Sequence, residues 1–348
     1  MKSREVKLNI SRYILTWIQI YGYRHIRYVF LFEPIEVFEF TLILLMNSIT
    51  AKQAKVTGGL WQFVEKHKLQ IERSLENNLP VAPAEIETRF NEAVWYSVFP
   101  GGKRLRPVLT LLGAELFGGK AEDVMHAAAA VELIHTSSLI FDDLPCMDDS
   151  RERRGKLSLH EEHGEGLSTL VAIGFLNHSY RLVTLDGHDP VRSVSAVLEI
   201  VDCLGPGGMV GGQSVDLMIA TEAECKICAR NKYGVVLNLK TSSLIRLALR
   251  LGAILSGADA SGLESLSNFA EALGQAYQIS DDIIDLHQDA AIFGENDHET
   301  GSGPASPSAD TLYVKVEEAK KILTDNFNPC EARDHLSQLV DYVAERKV

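Results

Sequence analysis

The sequence predicts an all-α fold. From about residue 60 onward, apolar residues recur at steps of three and four, the spacing that gives a helix one buried face. Alternating apolar and polar residues, which mark a half-buried strand, are nearly absent, and clusters of Gly, Pro and Asp separate the helical runs. With 348 residues, 46% hydrophobic and 23% charged, the chain can bury a large core.

The first predicted helix begins after the Gly-Gly pair at 58–59 and ends at the proline-containing segment 79–83. Further helices are predicted at about residues 85–99, 107–117, 122–142, 193–204, 222–256 and 261–287. Turns are predicted at residues 100–102, 117–119, 186–190 and 205–208, and a long loop at 291–310. Because no fixed-period repeat is present, residues 59–348 are interpreted as one helical domain.

The charge balance and the cysteines limit the partners and the compartment. The chain has 34 basic and 47 acidic residues, a formal net charge of −13 at pH 7. Without a basic excess it is not expected to bind nucleic acid. Five scattered cysteines favour a reducing compartment over a disulfide framework. No stretch reaches about 18 uncharged apolar residues, so no membrane span is predicted.

Residues 1–58 differ from the rest and are interpreted as an N-terminal extension. Residues 1–27 contain six basic residues and one acid, so their net charge is 6 − 1 = +5, opposite in sign to the whole chain. A basic, acid-poor segment is typical of an organelle transit peptide, although such peptides usually have more serines. The alternative is an appended segment with no targeting role.

Two clusters of aspartates are the strongest chemical signal. The first cluster ends an apolar helix and consists of Asp142, Asp143 and Asp148. The second lies within about one helical turn and consists of Asp281, Asp282 and Asp285. Neighbouring carboxylates repel one another and lose solvation beside apolar residues unless a cation lies between them. Mg²⁺ is suitable because it prefers oxygen ligands and is often held by carboxylates together with substrate phosphates.

Basic residues follow a tight turn and also the first aspartate cluster. The first group is Lys103, Arg104 and Arg106, and the second is Arg151, Arg153 and Arg154. One guanidinium group can donate hydrogen bonds to two phosphate oxygens at once, whereas lysine acts as a point charge. In an acidic chain, cations gathered beside aspartates indicate a ligand that carries both negative and positive charge, such as a diphosphate with bound Mg²⁺.

Six motifs, in this order, resemble those of the trans-prenyltransferases, the polyprenyl diphosphate synthases. They are Gly102-Lys103-Arg104-Leu105-Arg106-Pro107, the segment His135 to Asp148, Arg153-Arg154-Gly155-Lys156, Gly211-Gly212-Gln213, Lys240-Thr241, and Gln278 to Asp285. The resemblance covers about residues 60–290. The two-residue insertion Pro145-Cys146 is similar to that of plant geranylgeranyl diphosphate synthases and bacterial farnesyl diphosphate synthases. The resemblance implies an isoprenoid synthase-type all-α bundle around a central cavity, usually a homodimer or else a heterodimer with a related subunit. A plastid location is expected, with mitochondrion and cytoplasm as alternatives.

The resemblance implies a magnesium-dependent catalyst. The metal ligands would be Asp142, Asp143, Asp148, Asp281, Asp282 and Asp285. The catalytic set would be Asp142, Asp143, Asp148, Asp281, Asp282 and Lys240. Bound metal would neutralise the pyrophosphate that leaves when the allylic substrate ionises.

The implied substrates are isopentenyl diphosphate and an allylic diphosphate such as dimethylallyl, geranyl or farnesyl diphosphate. Isopentenyl diphosphate would be bound by Lys103, Arg106, His135 and Arg154. The allylic diphosphate would be bound by Arg153, Lys240, Thr241 and Gln278. The isopentenyl double bond would attack the allylic cation, and loss of a proton would give a product five carbons longer.

The length of the product is expected to depend on the helix before the first aspartates. Its residues one and two turns earlier, Ser137, Ser138 and Ile134, would face the growing hydrocarbon if the helix is regular. Small serines leave the first turn open, so a C20 product is predicted, with Ile134 as the limit. Small alanines at 127–130 leave longer products as an alternative.

Some residues depart from the family pattern and keep two other functions open. Phe141 stands where a histidine is common, and Glu295 stands where a lysine would help to bind diphosphate. The first alternative is therefore a weakly active or regulatory subunit of a heteromeric synthase. The second is a class I terpene cyclase, which also ionises allylic diphosphates but needs no isopentenyl site.

Overall fold

The structure, a computed structural model, describes residues 59–83, 85, 88–221, 239, 242–293 and 308–346. The predicted N-terminal extension, residues 1–58, lies outside the described residues, as do Lys240 and Thr241. For Asp285 the backbone is described and the side chain is not. The described residues all belong to one unit that spans residues 56–348.

Helices make up most of the described chain, which confirms the all-α prediction. The first helix, α1, covers residues 59–77. It is followed by α2 (Thr88–Val98), α3 (Leu105–Leu116), a 3₁₀ turn (Ala121–Val124), α4 (Met125–Asp143), α5 (Leu159–His163), α6 (Glu165–Leu182), α7 (Pro190–Leu204), α8 (Met209–Thr221), α9 (Ser243–Leu255), α10 (Ala260–Phe293), α11 (Ala309–Asn326) and α12 (Glu331–Ala344). Two short strands, β1 (Glu152–Arg153) and β2 (Lys156–Leu157), pair antiparallel beside the first aspartate cluster.

Five of these helices, α5, α6, α8, α11 and α12, are absent from the sequence-based prediction. In α6, apolar residues occur on the exposed side (Leu170, Ile173) as well as on the buried side (Val171, Phe175), so no polar face marks the helix. The helices α11 and α12 follow the predicted loop, where no helical pattern was identified. Helix α10 runs to Phe293, so the first residues of that predicted loop are helical.

Helix α4 lies at the centre of the bundle and packs against α3, α6 and α9. Eight consecutive residues, from Ala127 to Ile134, are buried. A helix buried on all sides needs no polar face, and the four alanines at its start let the neighbouring helices approach closely. Its C-terminal end, which carries Asp142 and Asp143, therefore has a fixed position in the core.

Helices α3 and α9 touch backbone to backbone. A Cβ atom on Gly113 would overlap the carbonyl group of Leu249, and one on Gly252 would overlap the carbonyl group of Thr110. Glycine is therefore required on both helices at this crossing. The contact sets the separation of α3, which carries part of the predicted diphosphate site, from α9.

Two segments of the described chain are long and apolar enough to cross a membrane by length and composition alone. The first, Ala121–Asp143, contains the central helix α4, and 72% of its apolar window is buried in the fold. The second, Pro190–Met218, contains α7 and α8, and 28% of its window is buried. The first is explained by core packing, because a central helix of a bundle has the same composition.

Candidate active site

A cavity of about 720 Å³ lies between α3, α4, α6 and α8. Arg106, His135 and Asp142 give one part of its lining a polar character. The remaining lining is largely apolar, with contributions from Leu139, Phe141, Leu176, Leu204, Leu217, Met218 and Leu244. The cavity therefore suits a ligand with a charged end and a hydrocarbon body.

The predicted chain-length residues all line this cavity. Ile134, Ser138 and Asp142 are spaced by four residues and so lie along one face of α4. At 1.5 Å per residue, Ile134 lies about 12 Å below Asp142 along the helix axis. Ser137 is buried, and its hydroxyl donates to the carbonyl oxygen of Ala172 on α6 at 3.0 Å. Ser138 is the less buried of the two serines.

The first aspartates lie at the end of α4 and in the turn after it. Asp142 lines the cavity, Asp143 is buried, and Asp148 is exposed. Asp143 accepts hydrogen bonds from Arg153, whose Nε lies 3.1 and 3.2 Å from the two carboxylate oxygens and whose Nη2 also donates. This hydrogen bonding raises the pKa of Arg153, with smaller contributions from the charges of Asp143 and Asp142.

The second aspartates lie on α10. Asp281 pairs with Arg346, whose Nη2 is 2.7 Å from its Oδ1 and whose guanidinium lies 4.2 Å from the ring centre of Tyr277. Asp282 accepts a hydrogen bond from Gln278 Nε2 at 2.8 Å, one turn earlier on the same helix. Sequence analysis missed Arg346, because its pairing joins residues that are far apart in the chain.

The carboxylate groups fit a divalent cation in kind, since Mg²⁺ prefers hard oxygen donors. Among the residues whose side chains are described, no three carboxylate, imidazole or thiol groups converge on one point. Two of the aspartates are instead held by arginines, Asp143 by Arg153 and Asp281 by Arg346. The six-aspartate metal site remains a prediction.

The predicted isopentenyl-binding residues surround the turn before α3. Arg106 Nη1 lies 3.1 Å from His135 Nε2. A Cβ on Gly102 would lie 3.2 Å from Arg154 Cζ, so the Arg154 guanidinium lies over this glycine. Lys103 is exposed, and its ammonium donates to the hydroxyl of Tyr342 on α12 at 2.5 Å. The structure thus brings these four residues together at one end of the bundle.

His135 is neutral and has a proton to donate. Burial lowers its pKa well below 6.5, and the nearby charges of Arg106 and Arg154 lower it further. Because a guanidinium can only donate, His135 Nε2 accepts from Arg106, and the proton of the neutral ring is on Nδ1. Within the described part of the chain, His135 Nδ1 and Arg106 Nε are buried without a hydrogen-bond partner. Unsatisfied donors beside a cavity favour an anionic ligand.

Arg104 differs from its two basic neighbours, because it is buried and turned away from the cavity. Its side chain pairs with Glu132 at 2.7 Å and with Glu72 at 2.9 Å, and it donates to the carbonyl oxygen of Val98. Its backbone has a φ of 53°, in the left-handed region. Of the predicted cluster of three cations, Arg104 therefore belongs to the protein interior, and Lys103 and Arg106 remain the candidates for binding a ligand.

An all-helical bundle with Arg106, His135 and Asp142 at one part of an apolar cavity is the architecture expected of an enzyme that acts on an anion with a hydrocarbon tail. The sequence profile of the polyprenyl synthetase family matches residues 87–343. Geranylgeranyl pyrophosphate synthase, chloroplastic, from Capsicum annuum is 34% identical over 330 residues, which cover 90% of this chain and 86% of that protein. Farnesyl diphosphate synthase from Bacillus subtilis is 33% identical over 305 residues, covering 84% of this chain and 99% of that protein.

A solved structure of an FPP/GFPP synthase from Zymomonas mobilis superposes with a TM-score of 0.71 at 28% identity. The superposition covers 83% of this chain and 99% of the Zymomonas mobilis chain. The chain belongs to the polyprenyl synthetase family, as the order of its motifs predicts. The activity that this membership supports is prenyl transfer.

Proposed function

We propose that the protein condenses isopentenyl diphosphate with dimethylallyl, geranyl or farnesyl diphosphate and releases geranylgeranyl diphosphate as its main product. The observation that carries the proposal is the lining of the cavity, with Arg106, His135 and Asp142 at the charged part and Ile134 deeper on the same helix. A growing prenyl chain would occupy the space between them. Similar proteins with both C15 and C20 products in their names support the class of reaction.

The isopentenyl diphosphate would bind to the cations at the turn before α3. Lys103 and Arg154 are exposed and can meet phosphate oxygens from the solvent side. Arg106 Nε and His135 Nδ1 would donate from the buried side and so gain the partners that the described residues do not supply. Because His135 is neutral, it orients the diphosphate through a hydrogen bond and does not add charge.

The allylic diphosphate would bind between the two aspartate clusters, near Arg153 and Gln278. Lys240 and Thr241, assigned to the same substrate by the resemblance, lie outside the described residues. Mg²⁺, when held by the aspartates at 142, 143, 148, 281, 282 and 285, would supply the positive charge that stabilises the departing pyrophosphate. Arg153, which pairs with Asp143 in this structure, would contact the same anion.

The apolar lining would protect the reactive intermediate from water. When the allylic C–O bond breaks, the oxygen keeps the electron pair and the carbon becomes a cation. The isopentenyl double bond forms the new C–C bond, and the departing pyrophosphate takes the proton that is lost. Side chains such as Phe141, Leu139 and Leu244 exclude water from this part of the cavity, so the cation reacts with the alkene.

The C20 assignment depends on Ser138 and Ile134. A small hydroxyl one turn below Asp142 leaves the cavity open at that depth, and the fully buried Ile134 closes it one turn deeper on this face. An aromatic residue at the first of these turns would block elongation earlier. The chloroplastic relative makes the plastid the proposed compartment.

The exposed face of α7 is proposed to bind a second copy of the chain. Val191, Val194, Leu198 and Val201, spaced by three and four residues, are 72, 58, 55 and 46% exposed. Leu170 and Ile173 of α6 are also exposed apolar residues. A two-fold axis across such a stripe would bring it against its own copy, which buries the same apolar face on both chains. Some relatives are named as subunits of heterodimeric synthases, so a related chain is the alternative partner.

Product chromatography of the purified protein tests the function. Incubation with Mg²⁺, isopentenyl diphosphate and each of the three primers should give geranylgeranyl diphosphate, and Asp142→Asn should reduce turnover by orders of magnitude without loss of helicity. Hydrocarbon or alcohol formed from an allylic substrate alone would indicate a terpene cyclase. Absence of product with the chain alone, and its appearance after addition of a related synthase, would indicate a regulatory subunit.

A further inference from the structure

Lys103 lies beside two aromatic rings that come from opposite ends of the described chain. Its ammonium is 5.9 Å from the ring centre of Trp61 on α1 and 5.1 Å from that of Tyr342 on α12. The same ammonium donates to the Tyr342 hydroxyl at 2.5 Å. The two rings meet edge to face, with centres 5.2 Å apart and an angle of 80° between their planes. We call Trp61 and Tyr342 the aromatic pair.

The aromatic pair is held by close packing of α1 against α12. The backbone N–H of Leu60 donates to Gln338 Oε1 at 2.7 Å. A Cβ on Gly59 would lie only 2.9 Å from His335 Nε2, so the start of α1 lies directly against α12. The rings of Phe63 and His335 are 5.1 Å apart between centres. The two rings of the aromatic pair therefore have little freedom to move.

We propose that Trp61 and Tyr342 are positioning residues for Lys103, which they hold ready for the diphosphate of the isopentenyl substrate. This inference rests on the proposed function, because that function assigns Lys103 to this diphosphate. Neither residue belongs to the motifs that identify the family, and Trp61 lies outside the residues that the family profile matches.

The physical need for such residues comes from the lysine side chain. Its four-carbon stem is flexible, and an exposed lysine loses rotamer entropy when it binds a ligand. The Tyr342 hydroxyl and the Trp61 ring attract the ammonium and restrict the stem before the ligand arrives. The ammonium has three donors, and Tyr342 accepts from one of them, so two remain for phosphate oxygens. The Tyr342 hydroxyl also keeps its own proton, which it can donate to the same anion.

The substitution Tyr342→Phe tests the inference because it removes one oxygen and keeps the ring against Trp61. We expect the KM for isopentenyl diphosphate to rise about three- to ten-fold, the effect of losing one typical hydrogen bond. The KM for the allylic substrate and kcat should change less than about two-fold. The matched control is Tyr313→Phe, the same chemical change on an exposed tyrosine of α11, which should alter neither KM.

A double-mutant cycle separates positioning from general packing. In a Lys103→Ala background, Tyr342→Phe and Trp61→Leu should each have little further effect on the KM for isopentenyl diphosphate, because the side chain that they position is gone. Effects that multiply with that of Lys103→Ala, or an equal rise in both KM values for Tyr342→Phe, would overturn the inference.

Calorimetric titration with isopentenyl diphosphate keeps this test independent of turnover. Tyr342→Phe should weaken binding by the same three- to ten-fold factor, and unchanged affinity would refute the positioning role. If the wild-type protein binds isopentenyl diphosphate and shows this difference but forms no prenyl product, the proposed function fails while the positioning of Lys103 stands. If the wild-type protein does not bind it, both fail.

Discussion

Replacement of Arg104 by methionine should destabilise the protein strongly. Arg104 makes four hydrogen bonds, two to Glu72, one to Glu132 and one to the carbonyl oxygen of Val98. Methionine keeps much of the side-chain volume but removes all four. Glu72 is partly exposed and can regain water, whereas Glu132 is almost fully buried and would keep an uncompensated charge.

The expected loss of unfolding free energy follows from this difference in burial between Glu72 and Glu132. Removing one partner of a buried ion pair costs about 3–5 kcal/mol. A loss of 1 kcal/mol lowers the melting temperature of a domain of this size by about 2–4 °C, so Arg104→Met should melt about 10 °C lower. The turn that carries Lys103 and Arg106 should also loosen, because Arg104 adopts its left-handed conformation inside this network.

Thermal unfolding followed by circular dichroism measures the effect. Lys315→Met, which breaks an exposed ion pair with Glu318, is the control and should change stability by less than about 1 kcal/mol. Adding Glu132→Gln to Arg104→Met should recover part of the loss, because the buried charge is removed. If the free energy of unfolding of Arg104→Met is within about 1 kcal/mol of that of the wild type, the buried charge of Glu132 does not depend on Arg104 for its stabilisation.

Three other perturbations test the cavity, the buried histidine and the exposed helix face. Ser138→Phe should shift the main product from C20 toward C15, as measured by chromatography, while Ser261→Phe at an exposed position should not. Stability should fall as the pH drops below about 6.5, because unfolded His135 takes up a proton that the folded protein excludes; His135→Gln should reduce this loss by about 1 kcal/mol per pH unit in urea titrations, and an unchanged pH dependence would contradict the neutral assignment. Leu198→Glu should convert a dimer to a monomer in light scattering, whereas Leu69→Glu, at an equally exposed leucine of α1, should not.

Local signals account for the parts of the fold that the sequence predicts. Pro145 and the apolar run before it place the end of α4 within one residue, since proline cannot continue the helix. The periodic pattern of apolar residues does not reveal α6, because this helix carries apolar residues both on the side that faces the core and on the side that faces solvent. A single sequence does not show whether an apolar helix face is buried in the core or exposed on the surface.

The candidate site shows the same division between local and long-range information. The cations of the turn before α3 are adjacent in sequence, so their grouping is predictable from the chain itself. Arg104 is the exception, because its burial depends on Glu132, 28 residues away, and on Glu72, 32 residues away. The contacts of Tyr342 with Lys103 and of Arg346 with Asp281 span still longer separations, which no motif spacing encodes.

The backbone contact between α3 and α9 limits how this protein can diversify. Most helix pairs adjust their separation through the side chains between them, so successive substitutions can widen or narrow a bundle by small steps. Gly113 and Gly252 have no side chains that a substitution could shorten, and any larger residue at either position would force the two helices apart. The separation of α3 and α9 is therefore closed to gradual adjustment, and variation in the size of the cavity has to come from the side chains that line it.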